Sequence, residues 1–156
     1  MRLRILIAGV GNVLRGDDGF GVEVAQALNR RPAFPDGVEI FEGGIAGIPL
    51  VQELMDGYDA LIIADAIDRG GAPGTIYVIE PEVADPALMN SAALHASLAD
   101  AHYTDPSKVL VLAKALGVLP TQVFLVGCQP EGFDELGAEL SVAGTRAAIT
   151  EMTGCW

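Results

Sequence analysis

The sequence predicts an α/β protein, a three-layer α/β/α sandwich around a mostly parallel, twisted sheet of about five strands. Three observations carry that expectation. Short runs rich in Val, Ile and Leu occur at RILIAGV (4–10), VEIF (38–41), ALIIADA (60–66) and QVFLVGC (122–128), and near-continuous apolar runs of this length mark strands covered on both faces. Helical patterns fall between them, which is the order of a parallel sheet with crossover helices. The chain has 156 residues, 51% hydrophobic and only 19% charged, which suits one well-buried core. A single domain over 1–156 is expected.

The elements follow in order. After the first strand, Phe20, Val24, Ala27 and Leu28 recur at helical spacing within GFGVEVAQALNRR. A second helix is expected over IPLVQELM (48–55), between the second and third strands. The segment DRGGAPG (68–74) reads as a turn, and TIYVIE (75–80) as a more amphipathic strand that pairs antiparallel at an edge. Residues 81 to 105 form a long connection with a short helix over 91–99, a type of segment that often carries function. In PSKVLVLAKALG (106–117), Pro106 suits a first helical turn and Gly117 a C-terminal cap. Ser141 is placed to N-cap a last helix over 142–152.

Composition excludes several classes. A formal net charge of −12 disfavours nucleic acid or an anionic membrane as the partner and suits a cation or a basic surface. The opening MRLRILIAGVGN has two arginines before an apolar run, but the run is too short for a secretory signal and meets Gly and Asn at once. No apolar segment approaches the roughly 20 residues that cross a bilayer, so no membrane insertion is expected. The two cysteines, Cys128 and Cys155, show neither a CxxC spacing nor a disulfide framework, and a reducing cytoplasmic setting is the expectation. Cys128 reads as a small buried hydrophobe at a strand end.

The stretch GVGNVLRGDDGFG (9–21) poses the functional question. A strand, a glycine-rich loop and a helix usually build a phosphate cradle, yet the third position of the dinucleotide fingerprint is Leu14 and no Gly-Lys-Ser/Thr follows. Asp17 and Asp18 stand where a phosphate needs positive charge. Glu42, at the end of the second strand, is the one residue suited to a ribose, and nucleotide binding is the weakest of the alternatives. The two aspartates suit helix caps equally well, since a carboxylate accepts N–H bonds at a helix start. Asp65 closes the strand ALIIAD and would share the edge of the 9–18 loop if the two strands are parallel neighbours. The two histidines, His95 and His102, both lie in the long connection. Two carboxylates and an imidazole form a ligand mix for a borderline divalent metal such as nickel or zinc; from the residues alone, caps and solvated side chains stay open as the alternative.

The motifs GVGNVLRGDDGFGV, EGGIAG (42–47), LIIADAID and FLVGCQPE, followed by a late helix, together resemble the NiFe-hydrogenase maturation proteases over about residues 3 to 150. The resemblance implies a phosphorylase/hydrolase-like sheet and an aspartic-type endopeptidase. Its reaction would remove a C-terminal extension from the large-subunit precursor of a NiFe hydrogenase after nickel insertion, thereby activating that enzyme. It places the metal-binding and catalytic set at Asp18, Asp65 and His102. The acid is the second of the pair, and His102 is preferred to His95 because it stands directly before a predicted helix, 25 residues ahead of Gly127. His95 is then a solvated or capping residue. Asp17, Gly43 and Gly44 are substrate-binding candidates. The family's Gly-Gly-Thr is here Gly43, Gly44 and Ile45, which removes a hydroxyl, and Asp18 stands where some relatives carry glutamate.

In this reading nickel arrives with the substrate, held by the precursor's own thiolates, and the protein carries no tightly bound organic cofactor. Asp17 or another carboxylate off the metal would serve as general base, or the nickel alone would position the attack. No serine or cysteine nucleophile with a matching histidine is evident. A nickel-dependent binding or chaperone module that holds the precursor without cutting it would use the same three ligands.

Overall fold

The computed structural model describes residues 2–12, 19–44, 47–99, 105–131, 141, 143 and 144, with side chains described to residue 96 in the third helix. Five strands are present: β1 (Ile5–Val10), β2 (Val38–Gly44), β3 (Ala60–Ala66), β4 (Ile76–Ile79) and β5 (Gln122–Cys128). Among the described residues they are accompanied by α1 (Phe20–Asn29), α2 (Gly47–Leu54), α3 (Ser91–Ala99) and α4 (Pro106–Ala115), with a 3-10 turn at Pro86–Leu88. The strands lie in the order β2-β1-β3-β5-β4. The first four run parallel, and β4 joins the outer side of β5 antiparallel, with Tyr77 opposite Gly127. The predicted fold class and the edge position of TIYVIE both hold.

Alternation along the strands sends side chains to two cores. Leu6, Ala8, Leu61 and Ile63 pack with Leu50, Leu54 and Leu110 from α2 and α4. Ile7, Ala64 and Cys128 pack with Phe20, Val24 and Leu28 from α1. Helices on both faces make the three layers. Burial on both faces holds for β1 and β3 but not for β2, an edge strand that is half-buried with Glu39 and Glu42 exposed. β2 also runs three residues beyond VEIF. Its ladder with β1 shifts register between Gly9 and Val10, so that Glu42 and Gly44 face consecutive β1 residues and Gly43 is the extra one of a β-bulge.

Helix ends follow the local chemistry. Asp105 caps α4 by accepting from the Ser107 N–H at 3.0 Å, with Pro106 in the first turn. At the other end Gly117 takes φ +71°, Val118 N–H returns to the Ala113 carbonyl at 3.0 Å and Gly117 N–H to Lys114 at 3.1 Å, the paired bonds of a Schellman cap. Ser141 Oγ accepts from the Gly144 N–H at 3.0 Å, as expected of an N-cap; apart from 143 and 144, the helix expected over 142–152 lies outside the described residues.

The two N-terminal arginines are structural. Arg2 pairs with Asp36 in an exposed bridge, which contributes little. Arg4 donates to Glu39 at 2.7 Å and to the carbonyls of Asp56 and Gly57, and lies 4.5 Å from the centroid of Tyr58. Its hydrogen bond to Glu39 is the main reason that carboxyl sits below its ordinary pKa. Burial, and then the nearby Glu53 and Glu39, push the Tyr58 hydroxyl up. This cluster ties β1, β2 and the end of α2 together at the N-terminal end of the sheet.

At the other end α1 lies unusually close to the sheet. A Cβ on Gly21 would stand 2.0 Å from the Ala64 carbonyl oxygen and 2.3 Å from that of Val10; one on Gly9 would meet the Gly21 carbonyl oxygen at 2.0 Å. Backbone packs on backbone, and neither glycine has room for a methyl group. Gly21→Ala is therefore expected to lower stability by about 3 kcal/mol, read in urea unfolding as a fall in midpoint without a change in slope.

Candidate active site

The C-terminal ends of the parallel strands form one edge, which is where open α/β sheets bind ligands. β1 and β3 are parallel neighbours, so the end of β1 and Asp65 do share that edge, as anticipated. Gly11, just past β1, has φ +136°, and its N–H donates to the Gly44 carbonyl at 3.0 Å. Gly44 itself sits at φ +54°. A Cβ on Gly43 would come within 3.1 Å of the Phe41 ring and 3.3 Å of Val10. The two glycines thus close the loop ends of β1 and β2 against each other.

Asp65 is buried, with 6% of its surface exposed. One carboxylate oxygen accepts from the N–H of Ala66 at 2.8 Å. By alternation it shares the face of Leu61 and Ile63, the side covered by α2 and α4. A carboxylate at such a position is costly unless it is partnered. Opposite it in β5 stands Gly127, whose missing side chain is replaced by Ile67: a Cβ there would lie 2.4 Å from Ile67 Cδ1.

Beyond Asp65 the chain is held by a residue that the sequence reading passed over. Gln129 is 5% exposed and follows β5 directly. Its Oε1 accepts from the N–H of Arg69 (2.8 Å), the N–H of Gly71 (3.2 Å) and the Tyr77 hydroxyl (3.3 Å), while Nε2 donates to Asp68 at 2.8 Å. Its main chain bonds Gly74 and Thr75, both at 2.8 Å. One buried amide therefore fixes the whole 68–75 turn. No local signal marks Gln129, because its partners lie 52 to 61 residues away in the chain. Asp68 also accepts from the Gly70 N–H at 3.0 Å. The Gln129 bond first, and this one second, hold its carboxyl below its ordinary pKa.

Glu42, exposed on β2, accepts a 2.8 Å bond from Gln26 Nε2 on α1. Gly19 takes the N-cap position of α1 and brings no side-chain cap, so that position falls to neither aspartate of the opening motif. Cys128 is 1% exposed, the buried strand-end residue expected. His95 is exposed in α3, whose start is capped by Asn90 through a 2.8 Å bond from Ala93 N–H, so of the two roles expected for His95 the solvated one holds. Asp17, Asp18 and His102 lie outside the described residues. Of the expected ligand set only Asp65 is described, and among the described residues no three His, Cys, Asp or Glu side chains converge as a metal site. α4 begins at Pro106, four residues after His102, and must start near the edge where β3 ends, because it returns the chain to the start of the parallel β5.

A five-stranded sheet with a lone antiparallel edge strand, and a buried carboxylate at its C-terminal end, defines an α/β protein with a strand-end acidic site. The sequence profile of the hydrogenase maturation protease family matches residues 22–153, and this chain belongs to that family. It is 40% identical over 87% of its length to the hydrogenase expression/formation protein HoxM of Azotobacter vinelandii, of which it spans 62%. It is 39% identical over 85% of its length to the hydrogenase 2 maturation protease of Escherichia coli, of which it spans 76%. Among solved structures, the hydrogenase maturating endopeptidase HybD from E. coli superposes with a TM-score of 0.73 at 34% identity, covering 96% of this chain and 88% of that one.

The sign of the Asp68 shift sets a pH dependence. A depressed carboxyl stabilises the turn at neutral pH, and that contribution is lost as pH falls through its lowered pKa. In an NMR titration the Gly70 amide is expected to shift with a midpoint below the ordinary aspartate value, and Asp68→Asn is expected to abolish that step.

Proposed function

We propose that this protein is the endopeptidase that removes a C-terminal extension from the large-subunit precursor of a NiFe hydrogenase, after nickel has been inserted. The observation that supports this most directly is the buried Asp65 carboxylate at the strand-end edge of a chain belonging to the maturation protease family. The ligand set is Asp18, Asp65 and His102, reached from the loop after β1, the end of β3 and the segment before α4. Parallel pairing of β1 with β3, which puts the end of β1 at the edge where Asp65 stands, supports that reading.

Nickel belongs to the substrate here and is carried on the precursor's thiolates. Three protein ligands then read whether the precursor is loaded, since an empty precursor offers no cation to an acidic site. The nickel polarises the scissile carbonyl or a water molecule, and a carboxylate off the metal, Asp17 foremost, accepts the water's proton. Attack breaks the peptide bond, leaving a carboxylate on the mature subunit and a free amine on the released extension. Gly43 and Gly44 line the adjoining loop end, where their backbone meets the peptide. A cytoplasmic site of action belongs to the same reading, because the two cysteines of the sequence show neither a CxxC spacing nor a disulfide framework.

Mass spectrometry of the precursor, incubated with the protein with and without nickel loading, tests the reading. Loss of a C-terminal peptide from the loaded form alone is the expected result; a stable complex with no cleavage would replace the protease by a binding module. Asp18→Ala, Asp65→Ala and His102→Ala are each expected to slow processing by about a hundredfold or more, with native circular dichroism retained. His95→Ala is expected to process within about twofold of the wild-type rate, as suits an exposed side chain away from the reacting atoms.

A further inference from the structure

Asp65, Gly127 and Tyr77 form one row across β3, β5 and β4, because Asp65 and Tyr77 both pair with Gly127. Residues in one row point to the same face. Between the two side chains Ile67 folds over Gly127 as an apolar floor. At the far end of the row the Arg69 guanidinium lies 5.4 Å from the centroid of the Tyr77 ring.

Arg69 is an exposed cation held over an aromatic ring. There are 21 acidic residues against 9 Lys and Arg, yet among the described residues no carboxylate pairs with its guanidinium, whereas Arg2 and Arg4 are both paired. The backbone around it is nonetheless fixed. Its own N–H and that of Gly71 bond the buried Gln129 side chain, Gly70 takes φ +72° with its N–H on Asp68, and the Tyr77 hydroxyl donates to the same Gln129 oxygen. An exposed arginine on a mobile loop would lose much of its binding energy to ordering; here the turn and the stacking ring are ordered beforehand.

We propose that Arg69 is the receptor for a carboxylate of the precursor's C-terminal extension, and so a specificity-determining residue of the processing site. The inference rests on the protease reading above. Two strand spacings put the Tyr77 Cα about 10 Å from that of Asp65, a span of about three extended residues. The segment before the cut carries the nickel and continues into the folded subunit, so the extension is the part free to lie across Ile67. A carboxylate about three residues past the scissile bond then meets the guanidinium in a bidentate pair. It comes either from an Asp or Glu side chain or from the chain terminus of a short extension.

The test compares wild type, Arg69→Lys and Arg69→Glu on the nickel-loaded precursor, with direct binding of a fluorescein-labelled synthetic peptide of the extension sequence. Arg69→Glu is expected to raise KM about tenfold or more with kcat within about twofold, as loss of uniform binding requires, and Arg69→Lys to fall between. Replacing the responsible acid of the extension by Lys is expected to restore Arg69→Glu. Amidating the peptide terminus and changing its Asp and Glu residues to amides separate the two carboxylate sources, and insensitivity to both overturns the proposal. So does an unchanged KM for Arg69→Glu on a precursor that the wild type cuts, which leaves the protease reading standing. If the wild type binds the peptide and Arg69→Glu does not, while neither cuts, the Arg69 site stands and the protease reading falls. Peptide that binds neither protein overturns the Arg69 site.

Discussion

The close approach of α1 to the sheet through Gly9 and Gly21 is the constraint on which the rest depends. With carbonyl oxygens about 2 Å from where a Cβ would stand, the start of α1 lies directly against the end of β1 and the last buried turn of β3. That contact fixes where the 13–18 segment must leave and rejoin the fold. It also explains the likeness of the opening motif to a phosphate cradle. A dinucleotide loop uses its third glycine for helix–strand packing; here that task falls to Gly21, after the helix has begun.

A second constraint acts at the other side of the same edge. Strands buried on both faces leave little room for polar groups, so the buried Asp65 and Gln129 at the strand ends carry much of what the edge can do. Asp65 is set at the junction of β1, β3 and β5, with Gly127 making space for Ile67 beside it. Gln129 supplies the acceptor and the donor that tie the glycine-rich turn to the end of β5. The row thus has a carboxylate at one end and, stacked on the ring of Tyr77, a guanidinium at the other.

Much of this was legible in the linear sequence. The strand positions, the antiparallel edge strand, the capped α4 and the helix over 91–99 follow from periodicity, Gly and Pro placement and the N-cap rules, because each depends on neighbours in the chain. Asp65 was legible for the same reason, as the polar residue that ends an apolar run. Gln129 was not. Its importance comes from partners 52 to 61 residues away, and nothing local distinguishes it from an ordinary glutamine after a strand. β2 was read as too short and too buried, since its edge position and the bulge at Gly43 are properties of the sheet.

By itself the sequence determined the class of fold, the order of its elements, the acidic character of the opening motif and the family to which the chain belongs. Local propensity and hydrophobic period are written along the chain and need no partner to be read. Tertiary structure alone decided the strand order, the row that joins Asp65 to Tyr77, the turn clamped by Gln129 and the placing of the Arg69 guanidinium over the Tyr77 ring. Those depend on which strands become neighbours, and parallel pairing is set by how two buried faces fill space across distant segments.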